Sequence, residues 1–188
     1  MFDSLLELYL SSIFLEGPLL EEDIRILSSL ESLNFALNEL PGISPGNQLA
    51  TLDISDSRFT GLIIPDLVYL TNLKSLDLSG NDLSGLSLPM TCEVLSSMTK
   101  LQSLDLSGID IGFFPTHITN LTNLENLNLS FISITVSIPP ELDLLLSNLK
   151  RLDLSDNSIS GEILSSLTMI PKLEDLDLGR NAFMGFLP

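Results

Sequence analysis

The sequence predicts an α/β repeat: a solenoid whose coils each add one short strand to a parallel, concave sheet and return through a short helical, 3-10 or extended convex segment. Three observations carry this. One residue type dominates, with 44 leucines among 83 apolar residues, three valines and no tryptophan, whereas an ordinary core mixes shapes to fill irregular gaps. Near-identical segments recur: LDLSGN (Leu76 to Asn81), LDLSDN (Leu152 to Asn157) and LDLGRN (Leu176 to Asn181). Weaker copies complete the series, with LYLSSI from Leu8, LNFALN from Leu33, LDISDS from Leu52, LDLSGI from Leu104 and LNLSFI from Leu127. The eight anchor leucines are spaced by 25, 19, 24, 28, 23, 25 and 24 residues, a mean of 24, which suits a stacked supersecondary unit.

Each element follows from side-chain direction. An alternating L-x-L segment points both leucines to one face and the middle residue to the other. A single such strand cannot bury its leucines, but coils stacked every ~4.8 Å form a continuous leucine column. After the strand, Asn38, Asn81, Asn157 and Asn181 occupy the turn, where a buried amide can pair with backbone groups that the turn leaves unsatisfied. Ile13, Ser57, Ile109 and Ile132 hold the equivalent positions, so this ladder is expected to break at four coils. A second signature, Gly then Pro, runs from Gly61 to Pro65, Gly85 to Pro89, Gly112 to Pro115 and Gly185 to Pro188. On the convex side LLEEDIRILSSL (Leu19 to Leu30) and MTCEVLSSMTKL (Met90 to Leu101) have helical spacing. The short 19-residue step holds LPGISPGNQ from Leu40, expected as a tight back loop. Cys92 is expected as a small buried hydrophobe.

Composition excludes several function classes. The net charge is −17, from 25 acids and 8 bases, which disfavours nucleic acid and anionic membrane surfaces, since binding there rests on Lys and Arg. Polar residues or Pro interrupt every apolar stretch short of the ~20 residues of a membrane helix, so no direct membrane insertion is expected. The N-terminal MFDSLLELYLSSIFLEG carries Asp3 and Glu7 where a signal peptide needs positive charge, and reads as mature structure. One cysteine permits no internal disulfide. The lone histidine, His117 in FPTHITNL, has no evident catalytic partner, and no phosphate loop or metal signature occurs. No enzyme activity, metal or cofactor is expected.

The segment LKRLDLSDNSISGEIL, Leu149 to Leu164, resembles LxxLxxLxLxxNxLxGxIP, the repeat of the plant-specific leucine-rich repeat family, and the resemblance covers essentially the entire chain. It implies a leucine-rich-repeat horseshoe in which residues 1–188 form a single domain of about eight coils. It further implies a non-catalytic module that recognises a protein or peptide on its concave face, with a possible co-receptor, in immune defence or developmental signalling. In that family the repeats form extracellular parts of receptor-like proteins and receptor kinases, or secreted inhibitors. The terminal coils read as incomplete, and the cysteine-bearing caps usual in the family are absent. A piece of a longer receptor at the extracellular face of the plasma membrane is therefore expected. The alternatives are a soluble inhibitor or a scaffold, cytoplasmic if the chain is complete, and a truncated product without independent function.

The candidate binding surface is the outward face of the sheet. The residues between paired leucines are Tyr9, Asn34, Asp53, Asp77, Asp105, Asn128, Asp153 and Asp177. Two charges ~5 Å apart repel by about 0.8 kcal/mol even in bulk water. The consecutive Asp53, Asp77 and Asp105 thus need relief from the adjacent serines, from Lys74, Lys150 and Arg151, or from a cation or basic partner. A purely structural role, orienting neighbouring turns, competes with ligand contact. Tyr9, Phe131, Arg151, Asp175 and Arg180 break the repeat's own habit and are further candidates, since exposed aromatics and arginines anchor interfaces. Phe131 either stands in solvent beside Asn128 or is buried against Ile109 and Ile132. Counting from two residues before each anchor leucine to four after it, acids outnumber bases by twelve to four, so a basic partner is expected. Possible glycosylation sites are Asn120 and Asn128, in Asn120-Leu-Thr122 and Asn128-Leu-Ser130, although about two such triplets arise by chance at this Ser and Thr content.

Overall fold

The computed structural model describes residues 5–13, 29–38, 49–58, 67, 70–83, 94–95, 97–139, 147–162, 167 and 170–185, except the side chains of residues 117 and 119. Each anchor leucine is the centre of a three-residue strand. These are β1 (Glu7–Tyr9), β2 (Ser32–Asn34), β3 (Thr51–Asp53), β4 (Ser75–Asp77), β5 (Ser103–Asp105), β6 (Asn126–Asn128), β7 (Arg151–Asp153) and β9 (Asp175–Asp177). They form one parallel sheet in the order β1-β2-β3-β4-β5-β6-β7-β9. The register sets leucine against leucine at every step: Leu8, Leu33, Leu52, Leu76, Leu104, Leu127, Leu152 and Leu176 are successive partners.

That register makes the leucine column the core. Leu33, Leu52, Leu76, Leu104, Leu127 and Leu152 are at most 2% exposed, each worth about 2 kcal/mol of apolar burial. The next inward residues, from Phe35 and Ile54 to Leu129 and Leu154, are equally buried. In the first and last coils Leu5, Leu8, Leu10, Leu173, Leu176 and Leu178 are only partly covered, because each has a neighbouring coil on one side among the described residues.

The convex side is mixed, as the differing spacers require. Pro115 leads into a 3-10 helix over Thr116–Asn120, which contains His117. Val94 and Leu95 are helical and buried, within the segment expected as a helix. Cys92, the back loop after Leu40, the helix expected from Leu19 as far as Ser28 and most of the Gly-to-Pro signatures lie outside the described residues. A second, two-stranded parallel sheet, unexpected from the sequence, pairs β8 (Ser160–Glu162) with β10 (Ala182–Met184). Gly161 and Gly185 have φ of 101° and 100°, conformations that glycine adopts without a Cβ penalty.

The turn amides form the expected ladder, with one correction. Asn81 Nδ2 donates to the carbonyls of Ile54 and Leu78, both at 2.8 Å, and its Oδ1 accepts the Ser57 N–H at 3.1 Å. Asn38, Asn157 and Asn181 repeat the reach to the preceding coil at 2.7 to 2.8 Å. Ser57, expected as a break, instead continues the ladder: its buried hydroxyl donates to the Phe35 carbonyl at 2.9 Å. Interruptions remain at Ile13, Ile109 and Ile132. The last two are wholly buried, so apolar packing replaces the amide there.

Candidate functional site

The strand face is built from one oxygen for structure and one group for the surface. In every coil from Asn34 to Asp177 the residue after the anchor leucine accepts the backbone N–H two positions on. Asp53 Oδ1 accepts from Ser55 at 3.0 Å, Asp77 from Ser79 at 2.9 Å, Asp105 from Ser107 at 2.8 Å, Asp153 from Ser155 at 2.8 Å and Asp177 from Gly179 at 2.8 Å. Asn34 and Asn128 do the same toward Ala36 and Ser130 at 3.1 Å. The hydroxyls of Ser55, Ser79 and Ser130 add a second bond at 2.6 to 2.8 Å. The turn is thus oriented by these side chains, as an Asx motif would be.

The remaining oxygen or amide points along the stack, where the two asparagines bracket the acidic run. Asn34 Nδ2 donates to Asp53 Oδ2, and Asn128 Nδ2 donates to Asp105 Oδ2 at 2.9 Å. Asp77, in the middle, lacks such an amide. Its carboxyl is raised above the ordinary value of 3.8, first by burial, with Asp105 and Asp53 adding and the two Ser79 hydrogen bonds opposing. The second oxygens of Asp77, Asp153 and Asp177 accept no hydrogen bond among the described residues.

Among the described residues, neither Lys150 nor Arg180 meets these carboxylates. Lys150 Nζ pairs with Glu125 Oε2 at 2.7 Å, and that contact raises its pKa. Arg180 pairs with Asp156 at 3.0 Å. Relief of the ladder thus comes from serine and asparagine, not from Lys150 or Arg180. On the strand face proper, Glu7, Asp53, Asp77, Asp105, Asp153, Asp175 and Asp177 stand against Arg151 alone. Arg151 is exposed and lies in register between Asn126 and Asp175. It forms no ion pair among the described residues.

These side chains define a groove of about 310 Å³ across β5, β6, β7 and β9. It is lined by Ser103, Asp105, Asn126, Asn128, Arg151, Asp153, Asp175 and Asp177 over a floor of Leu104, Leu127 and Leu152. Asn34, Asp53 and Asp77 lie farther along the same sheet. Tyr9, at its edge, is 65% exposed and donates to Glu7 Oε2 at 3.1 Å. Phe131 and Arg180 leave the strand face and occupy the turn four residues past the anchor leucine. Phe131 is 59% exposed there, while Ile109 and Ile132 are buried without it. Asn120 is exposed at the end of the 3-10 helix, whereas Asn128 is half-buried with both ends of its amide engaged. No group of three or more His, Cys, Asp or Glu side chains among the described residues is placed to hold a metal ion.

Family models for leucine-rich repeats match residues 71–119, as two copies, and residues 148–169. Receptor-like protein 6 of Arabidopsis thaliana is 32% identical over 169 residues, which is 86% of this chain and 15% of that protein. The chain belongs to the leucine-rich repeat family. The solved Arabidopsis receptor kinase HAESA, in complex with the peptide hormone IDA and the co-receptor SERK1, superposes with a TM-score of 0.79 at 28% identity over 98% of this chain and 32% of its own. Adenylate cyclase of Schizosaccharomyces pombe is 30% identical over 84% of the chain and 9% of its own length, so the repeat also occurs within an enzyme. This leucine-rich repeat chain therefore spans under a sixth of these curated relatives and about a third of that receptor.

Two features of the repeats escaped the sequence reading. Four residues before each anchor, Lys100 Nζ donates to Asn72 Oδ1 at 2.6 Å, Asn123 and Asn148 donate to the carbonyls of Thr99 and Thr122 at 2.8 Å, and Lys172 donates to Asn148 Oδ1 at 2.6 Å. This is a second polar ladder, on the strand-entry side. Four residues after each anchor, every coil is left-handed: Ser12, Leu37, Asp56, Gly80, Gly108, Phe131, Asp156 and Arg180 all have φ between 48° and 69°. Only the glycines in this column hinted at it.

Proposed function

We propose that the chain is a non-catalytic recognition module that binds an extended polypeptide segment of net positive charge in the groove over β5, β6, β7 and β9. The observation that carries this reading is the division of labour in the ladder: one oxygen of each aspartate is committed to the turn, while Asp153 and Asp177 line the groove and their second oxygens have no hydrogen-bond partner among the described residues. A cationic side chain there gains charge-assisted hydrogen bonds and relieves repulsion between neighbouring coils. Arg151 within the same groove favours a segment that also carries an acidic or carbonyl group, which fixes its register. Similarity to receptor-like proteins, and to a receptor kinase solved with a peptide hormone and a co-receptor, supports a peptide or protein ligand and a signalling role at the extracellular face of the plasma membrane, as part of a longer receptor.

Synthetic peptides of matched length and opposite charge, passed over the immobilised chain, test the reading. The basic peptide is retained in low salt and the acidic one is not. Replacing Asp153 and Asp177 together by lysine lowers that retention at least about tenfold, with the circular dichroism spectrum unchanged. Equal retention by the doubly substituted chain contradicts the groove as the binding surface.

A further inference from the structure

Phe131 stands apart in the left-handed column. Its φ is 55°, a conformation that most residues avoid and that is an outlier for a bulky side chain, yet its ring gains no burial in exchange, being 59% exposed. On one side the neighbouring coil presents Asp156, already paired with Arg180. On the other it presents Gly108, joined to the Phe131 coil by the Gly108 N–H to Ser130 carbonyl bond at 3.0 Å.

The Gly108 side is open. A Cβ placed on Gly108 would meet only the N and Cα of Gly80, at 3.5 and 3.6 Å, so the Phe131 ring does not lean over it. A Cβ on Gly80 would fall 2.1 Å from Asp56 Oδ1, which shows that the Asp56 carboxylate extends over the Gly80 coil. The rim therefore carries a notch with a bare backbone floor, a carboxylate wall and an aromatic wall. Asp56 and Phe131 belong to coils three steps apart, but the carboxylate lies over the Gly80 coil, two steps or roughly 10 Å from the coil of Phe131. That width suits a guanidinium, which pairs with a carboxylate at about 4 Å and stacks over a ring at up to about 6 Å.

Resting on the reading of this chain as a polypeptide-recognition module, we infer that the notch between Asp56, Gly108 and Phe131 receives an arginine side chain of the bound partner. The net charge of −17 draws such a partner in. Arginine fits better than lysine because a planar, weakly hydrated cation can pair at its edge and stack on its face at once. The notch lies on the rim beyond the strand ends, outside the groove, so the two surfaces would hold different residues of one segment.

A phage library of random dodecapeptides panned against the full chain tests this. Selected clones should be enriched in arginine over lysine. Phe131→Gly, Gly108→Asn and Asp56→Asn should each weaken a selected clone about tenfold, while Phe131→Tyr retains it. Asn tolerates the left-handed position of Gly108 and Phe131→Gly relieves strain, so thermal melting of both variants should stay level or rise; a drop in melting that parallels the lost binding assigns Phe131 and Gly108 to the scaffold and overturns the inference. Basic clones that are lost on lysine substitution of Asp153 and Asp177 but indifferent to the notch variants also overturn the notch and leave the groove standing. Clones indifferent to both sets, or the absence of basic clones, overturn both.

Discussion

Asn128 Nδ2 donates to Asp105 Oδ2 at 2.9 Å from the adjacent strand, while Asn128 Oδ1 accepts the Ser130 N–H and hydroxyl. One amide thus closes the turn of its own coil and donates a hydrogen bond to the carboxylate of the previous one. Asn128→Asp keeps the turn bonds, removes the donor and places a charge between Asp105 and Asp153. The expected cost is about 1–2 kcal/mol at neutral pH and low salt, smaller in high salt. Urea melts of both proteins at two salt concentrations check this, and equal stability at low salt would contradict it.

Asp77 has the reverse problem, having no amide donor beside it. Its raised pKa means that the native state holds the proton where the unfolded chain has lost it. Between 3.8 and the raised native value the native state binds more protons, so stability falls as pH rises through that window and the penalty is complete above it. Asp77→Asn should therefore stabilise the chain at neutral pH, by about 0.5–1.5 kcal/mol through its new amide bonds and lost repulsion. Its advantage should shrink below pH 3.8. Thermal melts across a pH series read both the sign and the window.

The turn ladder can be tested at Asn81, which is 4% exposed. Asn81→Ala strands the Ser57 N–H and two carbonyls in the interior, an expected loss of about 2–4 kcal/mol. Ser57→Ala removes a smaller link and should cost about 1–2 kcal/mol. Chemical denaturation of the two variants gives the order directly.

The left-handed column predicts opposite responses to glycine. Leu37, at φ 60° and 53% exposed, gives up strain and little burial, so Leu37→Gly should stabilise by about 0.5–1 kcal/mol. Gly80→Ala should destabilise by at least about 1 kcal/mol, and more than Gly108→Ala, because only the Gly80 Cβ meets Asp56 Oδ1, at 2.1 Å. Adding Asp56→Ala should remove that excess in a double-mutant cycle of melting curves.

These contrasts mark what was legible in the residues and what was not. The strand centres from Leu8 to Leu176 were readable because a leucine period reports which face is buried, and stacking turns that period into register. The turn amides were readable because Asn recurs with it. The left-handed column was hidden, since Leu37 and Phe131 look like ordinary apolar residues and periodicity carries no information about φ. The asparagine brackets on the acidic run needed adjacent coils to be read as neighbours, 19 residues apart at Asn34 and Asp53 and 23 at Asp105 and Asn128. Ser57 passed for a gap because a hydroxyl is a shorter stand-in for an amide. Lys150, a candidate to relieve the aspartate run, instead reaches Glu125 of the preceding coil.

The recognition surface is tested most directly by nuclear magnetic resonance of the nitrogen-labelled chain titrated with a retained basic peptide, because side-chain N–H groups mark both rims and the face between them. The Asn126 and Asn128 amides and the Arg151 Nε–H should shift and saturate together, while the Asn123 and Asn148 amides of the strand-entry ladder stay in place. Shifts confined to Asn123 and Asn148, with Asn128 and Arg151 unmoved at saturation, would contradict binding in the groove.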